Sequence, residues 1–257
     1  MILLSFDIEE FDLPLEHKYD MPFEEQISIS KKGTEKILQL LKKYNIKATF
    51  YVTANFAQNA VDTVEQIVLE GHELASHGFY HSDFDISHLK TSKEILEKIG
   101  KTKVEGYRMA RMTPIDESEV KKAGYTYNSS INPTFLPGRY NNLKESRTYF
   151  YREEILQIPA SVTPVLRIPL FWLTFHNIPL IIYKLFAKRT LKKDRYLNIY
   201  FHSWEFMPID RMIFLPYIIK KNTGKDMEKR FEKFISWAIK KNCKFQTTKD
   251  FILENNL

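Results

Sequence analysis

The chain has 257 residues, of which 44% are hydrophobic and 14% aromatic. This is enough apolar material for a large core, and no Gly/Ser-rich or Pro-rich linker divides it, so we expect one domain over residues 1–257. Cys243 is the only cysteine, which excludes an intrachain disulfide framework and a cysteine-rich zinc site. The formal charge of +6 indicates an acidic partner or a solvated basic face, and without a nucleic-acid-binding motif we expect no nucleic-acid partner.

Strand and helix patterns alternate through the first half of the chain. The apolar run at 2–7 has the length of a strand, and residues 30–44 carry an apolar stripe opposite lysines, as an amphipathic helix does. The next segments are a strand at 47–54, a helix at 60–71, a strand at 72–78, a helix at 91–100, a strand at 104–110, a helix at 116–124 and a strand at 125–131. This alternation predicts a parallel sheet with right-handed crossovers.

The second half of the chain is less regular. Residues 167–193 are strongly apolar and then basic, and we expect them to form a buried strand and helix. LNIYFHSWEF at 197–206 predicts another strand, and residues 228–256 predict a helix, a short strand and a closing helix.

Two features of the sequence bear on location. The amino terminus lacks the basic leader and longer apolar stretch of a signal peptide, so we expect a cytoplasmic protein. The apolar run within 167–193 is too short to span a membrane, which takes about 20 residues. A second interpretation of this segment is that it lies on the inner membrane face, where its basic block pairs with anionic headgroups.

Charged and polar side chains stand where four predicted strands end. They are Asp7, Glu9 and Glu10 after the first strand, His77 and His81 after the strand at 72–78, Arg108 after the strand near 106, and His202 and Glu205 in the strand at 197–206. Chemistry in parallel α/β sheets gathers at the carboxyl ends of the strands. We therefore expect these side chains to meet at one edge.

The segment GHELASHGFYHSDFD at 71–85 places His77 and His81 four residues apart. If it turns helically, both imidazoles face one side and can reach one ion at about 2.0–2.2 Å. On spacing alone, two loop histidines bonded to neighbouring acids are the simpler interpretation. A carboxylate from the first strand changes this balance, because two histidines and one carboxylate form a known catalytic zinc or iron set.

Asp7 and Glu9 project to the same side of an extended strand. Beside a divalent cation, one carboxylate can ligate while the other stays free as a base. The alternative is an acidic strand end in solvent, with Glu10 and Asp12 as ordinary surface charges, and for Glu10 we expect this alternative to hold. Arg108 either steers the free carboxylate or forms a surface salt bridge of little energetic value.

Five stretches resemble the polysaccharide deacetylase family, the metal-dependent N-deacetylases with a chitooligosaccharide deacetylase homology domain. They are, in the family's order, SFDIEE, KATFYVTANFA, GHELASHGFYH, GYRMARMT with GYTYNSSINP, and YFHSWEF, all within residues 2–206. The resemblance implies an α/β fold, a distorted (β/α) barrel of about seven parallel strands. It also implies hydrolytic removal of an acetyl group from a sugar with a divalent metal. Zinc is the first choice, and iron, cobalt and nickel stay open.

The resemblance implies a role for eight residues of this chain. Asp7 is the general base, Arg108 holds it, His202 is the general acid, Glu9, His77 and His81 bind the metal, Tyr80 contacts substrate, and Trp204 walls the acetyl pocket or packs in the core. Glu9 takes the place of an aspartate that often follows the base directly, where this chain has Ile8.

Two departures from the family pattern concern catalysis. Ala110, followed by Arg111, stands where the family tends to have proline, and Asn128 stands where relatives carry aspartate. If that aspartate raises the pKa of the acid histidine, an amide cannot do so, and Glu205 is the candidate replacement.

Three functions stay open from the sequence. The leading one is an amino-sugar deacetylase, the second a hydrolase of another non-peptide C–N bond, and the third a degenerate sugar-binding domain. The two departures motivate the third, and the intact set of catalytic and metal residues argues against it. No pattern identifies the sugar or the oligomeric state.

Overall fold

The computed structural model describes all residues, 1–257. Its strands are β1 (Ile2–Ile8), β2 (Thr49–Val52), β3 (Glu73–Ser76), β4 (Gly106–Tyr107), β5 (Tyr127–Asn128), β6 (Phe135–Leu136), β7 (Tyr140–Asn141), β8 (Phe150–Arg152), β9 (Ile155–Gln157), β10 (Leu197–His202) and β11 (Phe245–Gln246). Its helices are α1 (Leu13–Glu16), α2 (Phe23–Lys43), α3 (Ala54–Asn59), α4 (Val61–Leu69), α5 (His88–Gly100), α6 (Glu117–Lys122), α7 (Trp172–Asn177), α8 (Leu180–Asp194), α9 (Tyr217–Lys220), α10 (Lys225–Lys240) and α11 (Thr248–Glu254). No helix combines the length and apolar character needed to cross a bilayer.

Most of the strands form one curled sheet in the order β10-β1-β2-β3-β4-β5-β9-β8. The first seven of these run parallel to their neighbours, and β8 runs antiparallel to β9 at the edge. Strand β11 pairs with the first residues of β1, while β6 and β7 form a separate hairpin. The predicted α/β fold with about seven parallel strands is confirmed.

The sheet does not close into a continuous hydrogen-bonded cylinder. Asn198 on β10 faces the segment that follows β9, where its Nδ2 donates to the carbonyls of Ile158 and Pro159 at 3.0 and 3.2 Å. The N–H of Ser161 donates to the carbonyl of Asn198 at 2.8 Å. These loop contacts connect β10 to the segment after β9, where a closed barrel would have a ladder of strand hydrogen bonds. Because that ladder is absent, the barrel is distorted.

The alternation of side chains along β1 separates the core from the site. Phe6 and Ile8 pack in the main core beneath the helices, and full burial of a phenylalanine contributes roughly 1.5–3 kcal/mol. Ser5 and Asp7 point the other way, where each accepts a hydrogen bond from Arg108. One short strand therefore anchors the core with one face and presents a carboxylate with the other.

Helix α2 packs against the turn that follows β10. It begins at Phe23, seven residues before the predicted start at 30, and its first turn carries Glu24 and Glu25, which stabilise a helix amino end. At Gly33, a Cβ atom would overlap the backbone of Ser203. The glycine thus lets α2 pack closely against the 3-10 turn at Ser203–Phe206, which carries candidate site residues.

Candidate active site

The loop after β3 brings His77 and His81 together without a helical turn. Gly78, with φ +85°, bends the chain, and the two ring centroids lie 6.1 Å apart. The helical premise for this pair is therefore wrong, although the expected proximity is present. Nδ1 of His77 lies 2.9 Å from the carbonyl oxygen of Arg108, and Nδ1 of His81 lies 2.7 Å from a carboxylate oxygen of Asp12.

Both remaining ring nitrogens point at Glu9. Its Oε2 lies 3.2 Å from Nε2 of His77 and 3.3 Å from Nε2 of His81, and it has no hydrogen-bond partner. The three ligand atoms lie within 4.8 Å of one another. With each Nδ1 held by an oxygen acceptor, the lone pairs of both Nε2 atoms are available to a cation. The donor set fits a divalent metal.

The electrostatics of this cluster also favour a cation. Burial opposes ionisation of Glu9, but its interactions with His81, His77 and His202 together outweigh burial and lower the pKa of Glu9 to about 2. Burial likewise opposes protonation of His81, but Glu9 and Asp12 raise its pKa to about 9. Two carboxylates thus favour positive charge at this point of the fold, which is either the proton of His81 or a bound cation that displaces this proton.

The expectation that Glu10 is a surface charge is wrong, and Asp12 is buried as well. They are only 5% and 4% exposed. Glu10 accepts from Thr53 Oγ1 at 2.8 Å and from the N–H of His81 at 3.0 Å, so it holds the histidine loop in place. Metal-binding histidines commonly donate their second N–H to a carboxylate, and that rule could have drawn attention to the acids directly after β1.

Asp7 and Arg108 form a buried ion pair. Nη1 of Arg108 lies 2.6 Å from Oδ1 of Asp7, and the side chain of Arg108 has no exposed surface. Its guanidinium stacks 3.9 Å from the ring centroid of Tyr51, and Nη2 and Nε donate to Ser129. The alternative of a surface salt bridge is therefore wrong, because Arg108 fixes Asp7 from inside the barrel.

His202 ends β10 directly beside Asp7, its partner in the strand register. Its Nε2 lies 3.9 Å from Oδ2 of Asp7, and its Nδ1 lies 2.9 Å from Oε1 of Glu205. Burial opposes protonation of His202, but the hydrogen bond to Glu205 and the charges of Glu9, Glu205 and Asp7 raise its pKa. His202 is thereby held as a proton donor facing a carboxylate.

Two tryptophans enclose His202. Trp204 is buried and stacks on the imidazole at 5.0 Å between ring centroids, with an interplanar angle of 19°. Trp172, to which the sequence analysis gave no role, meets His202 and Trp204 edge-on at 5.3 Å each. Tyr80 lies 39% exposed on the rim, in a cleft of about 220 Å³ lined by His77 and His81.

The two departures from the family pattern lie apart from His202. Asn128 donates to Glu117 at 2.8 Å and accepts from Ser130, so its side chain belongs to the β5 and α6 side of the sheet. The carboxylate that contacts His202 is Glu205. Ala110 lines the same cleft as Tyr80, and Arg111 donates to Ser82 and Glu16 on the rim.

Comparisons with known proteins bear on the family and the fold. A family model for polysaccharide deacetylases matches residues 19–127. The peptidoglycan-N-acetylmuramic acid deacetylase PdaA of Bacillus subtilis (strain 168) is 30% identical over 76 residues, which cover 30% of this chain and 28% of PdaA. The chain spans between 20% and 28% of the length of the curated relatives it matches.

Solved structures share the fold of the whole chain. A structure described as a polysaccharide deacetylase from Mycobacterium smegmatis superposes with a TM-score of 0.67 at 16% identity, covering 99% of this chain and 88% of that chain. Puue allantoinase superposes with a TM-score of 0.64 at 15% identity, covering 97% and 87% of the two chains. The curled, mostly parallel sheet is thus a deacetylase-type (β/α) barrel. The chain is thus similar to polysaccharide deacetylases in sequence over residues 19–127 and in fold over its whole length.

Proposed function

We propose that this protein is a metal-dependent hydrolase that removes an acetyl group from an N-acetylated sugar of a polysaccharide or envelope glycan. One observation carries the proposal. The ion pocket of Glu9, His77 and His81 shares the carboxyl edge of the sheet with Asp7, whose Oδ2 lies 3.9 Å from Nε2 of His202. A base, an acid and a cation site at one edge are what hydrolysis of an acetamide requires.

Glu9, His77 and His81 are the proposed ligands, and zinc is the proposed metal. When bound, a divalent metal polarises the acetyl carbonyl and lowers the pKa of water in its coordination sphere. The chain's own part is to keep Glu9 ionised and both Nε2 atoms free. The carbonyl of Arg108 holds Nδ1 of His77, and Asp12 holds Nδ1 of His81, so both Nε2 atoms stay free.

Proton transfer is assigned to Asp7 and His202. Oδ1 of Asp7 is held by Arg108, so Oδ2 is the atom that takes a proton from the attacking water. Nε2 of His202 then gives a proton to the sugar nitrogen as the C–N bond breaks, because Nδ1 is occupied by Glu205. We assign Trp204 to the wall of the acetyl pocket and Tyr80 to contact with the sugar.

Metal content and acetate release test this function together. Protein purified without chelator is expected to hold about one divalent ion per chain. The His77→Ala variant is expected to lose this ion, and its activity is expected to fall at least about a hundredfold. The substrates are N-acetylated chitooligosaccharides and peptidoglycan fragments, and His17→Ala, which alters a histidine outside the site, is the control.

Other outcomes of this test decide against the proposal. Wild-type protein without metal, even after zinc is added, contradicts the ion site. Metal without acetate release, but with hydrolysis of a cyclic ureide, supports the other C–N hydrolase, for which the allantoinase fold is the supporting observation. Sugar binding without any turnover supports the degenerate domain.

We further propose a cytoplasmic location with one face against an anionic membrane. Helix α8 has no acidic residue before Asp194. Its outward face exposes Ile181, Ile182 and Leu185, followed by Lys188, Arg189, Lys192 and Lys193. An apolar patch beside unpaired cations matches the interface of an anionic bilayer. Because α8 leads back to the start of β10, its apolar first turn lies toward the edge that carries His202.

Vesicle co-sedimentation tests this contact. Binding is expected to rise at least about tenfold when phosphatidylglycerol is added to phosphatidylcholine vesicles, and Ile181→Asp is expected to abolish the gain. Leu69→Asp is the matched control, because Leu69 is 85% exposed on α4, outside the proposed face. Binding that does not respond to anionic lipid contradicts the proposal.

A further inference from the structure

Two buried side chains, those of Glu205 and His176, form a hydrogen-bonded chain behind His202. Its Nδ1 lies 2.9 Å from Oε1 of Glu205, and Oε2 of Glu205 lies 2.8 Å from Nε2 of His176. The side chains of Glu205 and His176 have no exposed surface. His176 is one of seven histidines in the chain. It has no part in the ion pocket or in the proton transfers assigned above.

The three groups come from different elements. His202 ends β10, Glu205 stands in the 3-10 turn that follows, and His176 lies on α7. Oε1 of Glu205 also accepts the backbone N–H of His202 at 2.5 Å. Nδ2 of Asn222 donates to the carbonyl of His176 at 2.6 Å, which joins the segment before α10 to the same network.

A fully buried carboxylate is costly unless its oxygens accept hydrogen bonds. Here Oε1 is satisfied by His202 and Oε2 by His176. An ionised carboxylate can only accept, so the nitrogen that faces it on each ring must carry the hydrogen. For His202, this places the proton on Nδ1 and leaves Nε2 directed at Asp7 and the cleft.

The other charged and titratable groups around His202 do not compete for Nδ1. Asp7 faces Nε2 from β1 at 3.9 Å, and Glu9, the residue after β1, acts over a longer distance. Tyr200 lies 5.9 Å away between ring centroids. The orientation of the imidazole is therefore set from behind by Glu205 and from the sides by Trp204 and Trp172.

We propose that Glu205 and His176 are positioning residues, with His176 fixing the carboxylate of Glu205 and Glu205 fixing the tautomer and orientation of His202. The proposal rests on the proposed role of His202 as the acid in hydrolysis. The proposal assigns a function to α7, which lies in the apolar segment 167–193. It also accounts for the carboxylate partner of His202 in a chain where Asn128 stands in place of the family's aspartate.

Nitrogen NMR of histidine-labelled wild-type protein is the first test, because it needs neither a substrate nor a variant. At a pH where His202 is neutral, its spectrum is expected to show hydrogen on Nδ1, assigned by the signal lost in His202→Gln. Hydrogen on Nε2 would overturn the proposal. This readout stays interpretable if no sugar is turned over, so failure of the proposed function and failure of this inference are distinguishable.

Kinetics of three variants form the second test. Glu205→Gln keeps the shape but loses the charge, and it is expected to lower kcat at least about tenfold, to leave KM within about threefold and to shift the limb of the pH profile that reports His202. His176→Phe removes the donor and is expected to act in the same direction. His176→Gln keeps a donor and is expected to recover kcat to within about threefold of wild type.

The control is His72→Gln, a buried histidine whose Nδ1 accepts from the N–H of Ala48 away from the site. It is expected to keep wild-type kcat. Equal kcat for Glu205→Gln and wild type, with an unchanged pH profile, would overturn the proposal. If Glu205→Gln fails to fold, the comparison of His176→Phe with His176→Gln decides, since a role in packing alone predicts no rescue by glutamine.

Discussion

Replacement of Asp7 by asparagine is expected to lower kcat for deacetylation by about a hundredfold to ten thousandfold, the range that general base catalysis supplies. An amide oxygen can still accept the hydrogen bond that Arg108 donates at 2.6 Å, but it cannot take a proton from water. Metal content is expected to stay at the wild-type level, because Asp7 is not among the residues that converge on the ion pocket. Acetate release at saturating substrate, with metal analysis of the same sample, measures both.

The control for this variant is Asp83→Asn, which alters an exposed acid in the histidine loop. Its kcat is expected to equal that of wild type. An Asp7→Asn protein that is folded, holds metal and keeps more than about a tenth of wild-type kcat would show that another group accepts the proton. Circular dichroism of both variants separates this result from a loss of folding.

Local sequence was sufficient to predict much of the site. The apolar run of β1 ends in Asp7 and Glu9, and strand alternation places both on one face. The expectation that the polar strand ends meet at one edge agrees with the observed register, in which Asp7 pairs with His202. The family resemblance then led us to propose Glu9 as the ligand and Asp7 as the base, a choice that side-chain alternation alone left open.

What sequence could not supply were contacts between distant segments. Asp12 reaches His81 across 69 positions, and Glu205 reaches His176 across 29. No periodicity in a single chain encodes such pairs, so neither the contact of Asp12 with His81 nor that of Glu205 with His176 was predicted. The burial of Glu10 follows from the same fact, because its partners Thr53 and His81 lie on other loops.

The partial closure of the barrel also depends on distant contacts. Hydrophobic patterns predicted the strands, but not that Asn198 bridges the gap to the segment after β9. The inward face of this barrel mixes apolar side chains such as Leu3 with hydrogen-bonded polar ones such as Ser5 and Arg108, so hydropathy carries little information about it. The arrangement of residues 1–257 as one domain stays a prediction.

Replacement of Arg108 by methionine is expected to lower the free energy of unfolding by about 3–5 kcal/mol, because it leaves the carboxylate of Asp7 buried without its partner. Contacts with the rings of Tyr51 and Tyr200 would be lost as well. Arg152→Met is the control, since Arg152 pairs with Glu145 near the surface and such pairs contribute about 0–1 kcal/mol. Urea unfolding of both variants gives the comparison.

A double variant isolates the ion pair from the packing. In Asp7→Asn with Arg108→Met no uncompensated charge remains, so the double variant is expected to be more stable than the sum of the two single losses predicts. Additive losses would mean that Arg108 stabilises the barrel by packing alone. Metal content supplies the final distinction, because the carbonyl of Arg108, which faces Nδ1 of His77, is retained in the methionine variant. Wild-type metal content in Arg108→Met, together with reduced kcat, would show that Arg108 serves the site in two separate ways. Its backbone carbonyl orients His77 in the ion pocket, and its side chain holds Asp7.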